Sequence, residues 1–250
     1  MDTIAVVTLY TLQEIRRDRL FWGFVPLVFF VIGLAFFMRE TSIIAGVEAF
    51  NRSYIALSSL ATTVFMSLLV VSSMYREIDS RAIYMVITKP LSRREYIVGK
   101  FLAFSLISLG IVLLSLAGAL LLRVGPAKAV FVHYLLSMFE QVIMIMAALA
   151  IALGLRTLPS AILGVAGFYL IGHSTKKLVD IAVQMSSAWV PALKAFYYLF
   201  PSLSLMNAQA AVLEGAPVLW SDTLFLGGYA AVYLAILFLV IVIDIRKRDF

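Results

Sequence analysis

The chain contains no cysteine. That excludes disulfides, thiolate metal sites and a cysteine nucleophile. Histidine is nearly as scarce, with only His133 and His173. They lie far apart in sequence, near the ends of expected membrane spans. They read as interfacial residues, because a metal site needs three or four converging ligands. No GxxxxGK[ST] or HExxH pattern occurs, so the chain offers neither a phosphate-cradling loop nor a helical zinc site. The serines of PSLSLMNAQ, 201–209, have no histidine base close in sequence, which disfavours an intramembrane hydrolase. The expectation is a non-enzyme that binds no cofactor or metal of its own.

Charge is the next scarcity. Asp, Glu, Lys and Arg make up 14% of the 250 residues, against about 25% in soluble domains. Hydrophobic residues make up 63%, and mean hydropathy is +1.02. Such a chain lacks the polar side chains to cover a soluble surface, and lipid is the alternative solvent. The net charge is +6 and the pI about 9.6. In a soluble protein that balance raises nucleic acid as a partner. In a membrane protein it reflects Lys and Arg collected in cytoplasmic loops, and no nucleic-acid partner is expected.

What is present is a series of long apolar runs. A span takes about 20 mainly apolar residues. The sequence predicts an all-α integral membrane protein with six spans: Trp22–Met38, Tyr54–Val71, Phe101–Leu122, Tyr134–Leu155, a short and glycine-punctuated Ser160–Gly172, and Leu224–Ile243. One membrane domain over 1–250 is expected. Residues 1–20 read as an amphipathic interfacial helix ahead of the first span, with QEIRRDR abutting it. The first apolar run begins only near Phe21, and the lead does not resemble a cleavable signal. An even number of spans puts both termini on one side, and charge decides which. With the termini inside, the inner segments hold 13 Lys and Arg residues: Arg16, Arg17, Arg19, Arg76, Arg81, Lys89, Arg93, Arg94, Lys100, Arg156, Arg246, Lys247 and Arg248. The outer segments hold 7: Arg39, Arg52, Arg123, Lys128, Lys176, Lys177 and Lys194. Both termini are therefore expected in the cytoplasm.

The longest connection, 173–223, is expected outside. It is apolar and aromatic and is broken by Pro191, Pro201 and Pro217. Trp189, Tyr197 and Tyr198 suit the membrane–water boundary. Short helices lying on or dipping into the outer leaflet are expected, since Asp180, Lys194 and Pro191 disfavour two further spans. Within the fourth span lie Glu140 and Gln141. Glu140 is six residues past Tyr134, roughly 9 Å inward. An intramembrane carboxylate is costly and is either a functional group or an interhelical hydrogen bond. No span-embedded Arg or Lys stands out as its partner.

Residues 74–100 form the most charged loop, and it is patterned. Asp79 is placed to cap a helix starting at Ser80 or Arg81. SRAIYMVIT, 80–88, gives two turns with Ile83, Met85, Val86 and Ile87 on an apolar side. Lys89 precedes Pro90, where that helix must stop. Ser92 and Glu95 form a capping box for a new helix running into the third span. A loop that only sets topology needs neither device.

EIDSRAIYMVITKPLSRREYIVGKF resembles the coupling segment of ABC-2 type transporter permeases. The match falls on Glu77, Thr88, Lys89, Pro90, Ser92, Arg93, Glu95, Gly99 and Lys100. Arg81 and Ala82 replace the frequent GT, and Arg81–Ile83 is similar to the RxI variant of the multicopper-enzyme (nitrous-oxide reductase) maturation branch. FYYLFPSLSLMNAQ, 196–209, looks like the external segment of that branch, and LQEIRRDRLF and the terminal RKRDF fit the family's ends. The resemblance implies a permease subunit, probable direction export, in a bacterial or archaeal cytoplasmic membrane. It implies a homodimer in the bilayer with two copies of a cytoplasmic ATPase, which would carry the ATP and Mg. It implies that Asp79–Thr88 is the coupling helix, with Tyr84 as a docking anchor and Arg81 and Arg93 for orientation. An ion-coupled secondary transporter and a non-transporting membrane anchor of an assembly complex are the alternatives. The first would usually show internal repeats and several midplane acids, and neither is evident.

The charge split makes a direct prediction. Single cysteines placed at Ser92 and at the C-terminus should be shielded from an impermeant reagent added outside, and one at Ser187 should react. Outside labelling at Ser92 would overturn the topology.

Overall fold

The computed structural model describes residues 3–24, 26, 29–30, 33, 37, 46–80, 92–155, 157–185, 189–213 and 220–247. Among these the chain is helical throughout, without strands. The elements are α1 (Thr3–Arg16), α2 (Gly46–Asp79), α3 (Arg93–Leu121), α4 (Ala127–Gly154), α5 (Leu158–Gln184), α6 (Val190–Leu199), a 3-10 turn (Leu203–Met206), α7 (Gln209–Leu213) and α8 (Trp220–Lys247).

Four helices are long and apolar enough to cross a membrane: Phe50–Asp79, Arg94–Leu121, Ala127–Gly154 and Trp220–Asp244. α4 is the central one. Of its apolar window 67% is buried, against 17% for the peripheral α8. The small residues Ala147, Ala148 and Ala152 on α4 are buried and permit close helix approach. One core cluster draws residues from α1, α2, α3, α4, α5 and α8, with Leu203 and Met206 of the 3-10 turn. A second, smaller cluster around Phe50, Tyr54, Val124 and Val212 closes the other end.

Local chemistry explains the helix ends. The Ser92–Glu95 capping box is present: Glu95 N donates to Ser92 Oγ at 3.2 Å, and Ser92 N donates to Glu95 Oε2 at 3.0 Å. Thr157 caps α5, with Pro159 in its first turn, where a missing amide hydrogen costs nothing. α3 ends in a Schellman turn. Val124 N reaches Ala119 O, Arg123 N reaches Leu120 O, and Arg123 takes φ 52, a position glycine usually fills.

Two helices run further than the expected spans. The second helix does not end near Val71 but continues to Asp79, because the charges of its last turns find partners inside the protein. Asp79 is accordingly the last residue of α2, and any helix it would cap lies outside the described residues. α5 does not stop at Gly172 but runs to Gln184, so the first part of the 173–223 connection is helix. Gly172 is covered by the 3-10 turn: a Cβ there would lie 2.7 Å from Leu203 Cγ. Lys176, Lys177 and Asp180 lie on the exposed side. α5 is not among the four helices that meet the length and apolarity needed to span. Most of Trp22–Met38 lies outside the described residues. On α8, Gly227 packs on Phe139 of α4, whereas Ala231 and Ala235 are exposed.

Candidate functional site

The two described ends of the charged loop meet in a buried ionic cluster. Glu77 is two residues from the end of α2, and Tyr96 and Lys100 stand one turn apart on α3. Lys100 is 1% exposed and Glu77 is 7% exposed. Lys100 Nζ donates to Glu77 Oε1, and Tyr96 Oη donates to Glu77 Oε2. α1 completes the cluster from a third direction. Glu14 Oε2 is 3.5 Å from Lys100 Nζ. Arg76 on α2 contacts Asp18 Oδ2 at 2.5 Å and Glu14 Oε1 at 3.8 Å. Asp18 also caps the helical residues 19–24, accepting from Leu20 N at 2.9 Å. A buried ammonium costs several kcal/mol unless it is paired and hydrogen-bonded, so Lys100 obliges α1, α2 and α3 to converge here. Tyr75 ties the same end of α2 to the end of α4, donating to Leu155 O at 2.9 Å.

Gly99 explains how α1 gets so close. A Cβ on Gly99 would lie 2.7 Å from Val7 Cβ and 3.2 Å from Ile4 O. With hydrogen there instead, Thr8 Oγ1 donates to Gly99 O at 3.1 Å. The adjacent Gly99–Lys100 pair thus supplies the surface contact and the charge that hold α1.

Burial raises the Glu14 carboxyl above its ordinary pKa. Lys100 and Arg76 oppose the shift, and the neighbouring Glu77 carboxylate adds to it.

A second polar site lies toward the other end of α2. Ser59 precedes Arg76 by 17 residues, about 25 Å along the helix. There a cavity of about 240 Å³ is lined by Ser59, His133, Ser137, Glu140, Tyr169, His173, Asn207 and Gln209, with Ile55, Ala56, Leu60 and Met206. Glu140 does have a partner. His173 Nε2 lies 3.1 Å from Glu140 Oε1. His133 is not interfacial but 2% exposed, with Nε2 3.2 Å from Ser59 Oγ and Nδ1 buried without a partner. Gln141 donates to Thr63 Oγ1 at 2.6 Å, pinning α4 to α2. Among the described residues no His, Asp and Glu group forms a set able to hold a metal ion.

The candidate site residues divide accordingly. Glu77, Ser92 and Glu95 are placed as described, and Asp79 is exposed at the tip of α2. Arg81, Ile83, Tyr84, Thr88, Lys89 and Pro90 lie outside the described residues, as does the side chain of Arg93. In the 189–213 segment, Trp189 and Tyr198 are exposed, Tyr197 is half-buried and Pro201 is buried. That segment is tied to α8, where Tyr229 Oη accepts from Ser202 N at 2.8 Å and Tyr233 Oη donates to Tyr198 O at 3.1 Å. Sequence reasoning missed Glu14, Asp18 and Tyr96, and the partnership of Glu140 with His173. The spacing of Tyr96 and Lys100, four residues apart, was a signal of one polar face on that helix.

No family model and no curated protein matches this chain.

Two predictions test the ionic cluster. Glu77→Gln leaves Lys100 buried without its main counter-charge and should destabilise by about 3–5 kcal/mol. Glu77→Leu combined with Lys100→Met should recover most of that loss, read as thermal unfolding of the purified chain in detergent. A Glu77→Gln protein as stable as wild type would remove the cluster from its structural role. The raised Glu14 pKa means the docked helix holds this proton more tightly than the unfolded chain. Its contribution is complete below the ordinary carboxylate range and is lost as pH rises through the raised value. Glu14→Gln should therefore be tolerated at neutral pH, and should flatten stability against pH relative to wild type between acid and neutral. An unchanged slope would show that the folded chain holds this proton no more tightly than the unfolded one.

Proposed function

We propose that the chain is the membrane-spanning permease subunit of an ATP-driven transporter of the ABC-2 type, worked by a separate cytoplasmic ATPase. The observation that carries this is the buried Lys100–Glu77–Tyr96 contact. It clamps both ends of the 80–92 connection together and onto α1. A clamp at the base of the connection joins α2 directly to α3. Force applied at its tip is then delivered to those two helices rather than absorbed in the loop. The capping box at Ser92 restarts the helix at once and shortens the slack. Four helices fit for spanning agree with a multi-pass membrane protein. In this proposal Trp22–Met38 and α5 complete six spans, both termini face the cytoplasm, and two permease copies pair over two ATPase copies. Export is the proposed direction.

A specific observation favours one other reading. The Glu140–His173 pair inside the bundle is the kind of group an ion-coupled transporter uses to carry a proton. Transport driven by ATP without an ion gradient supports the first reading; transport driven by a proton or sodium gradient without ATP supports the second.

The coupling role has its own test. Tyr84→Ala removes a large aromatic anchor, and such truncation typically costs about 1–2 kcal/mol or more, roughly ten-fold or greater in binding. Pro90→Ala lets the preceding helix run on. Both proteins should insert and dimerise, yet bind the ATPase weakly or fail to stimulate it. The control is Lys194→Ala in the external segment. If both variants match that control in pull-down and in ATPase activity, the loop is only a topology signal.

A further inference from the structure

The polar cavity does not stand alone. Beside it runs an apolar groove of about 270 Å³, lined by Leu60, Val64, Leu68, Val71, Ile162, Val165 and further residues of α2, α4 and α5. Leu60 and Tyr169 line both spaces. Each alone is small for a ligand, but together they reach about 500 Å³, within the range of a small-molecule pocket. One half is polar and the other carries almost no polar atom. The rim of the apolar half, including Leu60, Val64, Leu68 and Leu170, is exposed, so a chain could enter from the side.

The polar half has a definite electrostatic character. Its lining includes one carboxylate, Glu140, and no Lys or Arg. Glu140 has His173 as its one side-chain partner among the described residues. A carboxylate offers about four lone-pair positions, so most of its accepting capacity is unused. His133, with its unpartnered Nδ1, and the hydroxyls of Ser59 and Ser137 add neutral hydrogen-bonding groups. An anionic head would meet Glu140 with no Lys or Arg in the lining to offset it. An ammonium head would find its counter-charge there.

We propose that the cavity and groove between α2, α4 and α5 form one binding site for a single-chain amphiphile with a cationic amine head, the head at Glu140 and His173 and the chain along Leu60, Val64 and Leu68. Binding is a property of this chain alone; that the amphiphile is the transported cargo rests on the permease reading.

The probe is dodecylamine bearing a diazirine at its chain end, added to the purified full chain in nanodiscs of zwitterionic lipid. Photolabelling should saturate and should map to the groove walls on α2 and α5. Unlabelled dodecylamine should compete, and dodecyl phosphate should do so at least about ten-fold more weakly. Glu140→Gln should erase that preference between heads. Val64→Trp, on the exposed rim, should block labelling whatever the head. Labelling that does not saturate, equal competition by amine and phosphate, or cross-linking of this groove to a second copy of the chain would each overturn the proposal. The result is separable from the transport question. Amine binding without ATP-driven transport leaves the site and removes the permease reading; ATPase coupling without amine binding does the reverse.

Discussion

One buried ammonium organises one end of this protein. Lys100 is 1% exposed and cannot stay charged there without close anions. Glu77 provides the direct contact and Glu14 a second at 3.5 Å. Those two residues belong to different helices from Lys100 and from each other. Satisfying one charge therefore fixes the relative placement of α1, α2 and α3. The short approach allowed by Gly99 is what lets Glu14 reach. The tether of Asp18 to Arg76 then sets where the next helical residues, 19–24, begin, and Phe24 stacks on Phe65 of α2 at 3.6 Å between ring centroids.

The two polar sites share α2 as a common element. Its C-terminal end holds the ionic cluster, and Ser59 and Thr63 on its other half meet His133 and Gln141 of α4. A rigid helix carries displacement from one end to the other with little loss. α2 is thus the part through which an event at the charged loop would reach the cavity beside Glu140. The hydrogen bonds to α4 are the contacts that such a displacement has to stretch or exchange.

What the sequence made legible was local. The capping box at Ser92 and Glu95 involves residues three apart, and its pattern needs no knowledge of the fold. Apolar runs gave the long helices, since hydrophobicity is additive along a segment. The helix ends that went wrong were those decided by distant partners. α2 outlasts Val71 because Arg76 and Glu77 are neutralised by α1 and α3. α5 outlasts Gly172 because Leu203, 31 residues on in the chain, fills the space a side chain would need. Glu140 read as unpaired because its partner is 33 residues away and is a histidine, a residue whose neutral form escapes any count of charges. His133 read as interfacial from its place near a helix start, yet neighbouring helices bury it.

The contact between Thr8 and Gly99 spans 91 residues of chain, and this orders the protein's birth. α1 leaves the ribosome before α3, so its seat on α3 is made only later. At about 5–20 residues per second the delay is roughly 5 to 20 seconds. During that interval Glu14 has neither Lys100 nor, at first, Arg76 beside it, and α1 lacks the helix it packs on. α1, though made before α3, is therefore a late arrival in the finished bundle, locked in place when Lys100 is buried.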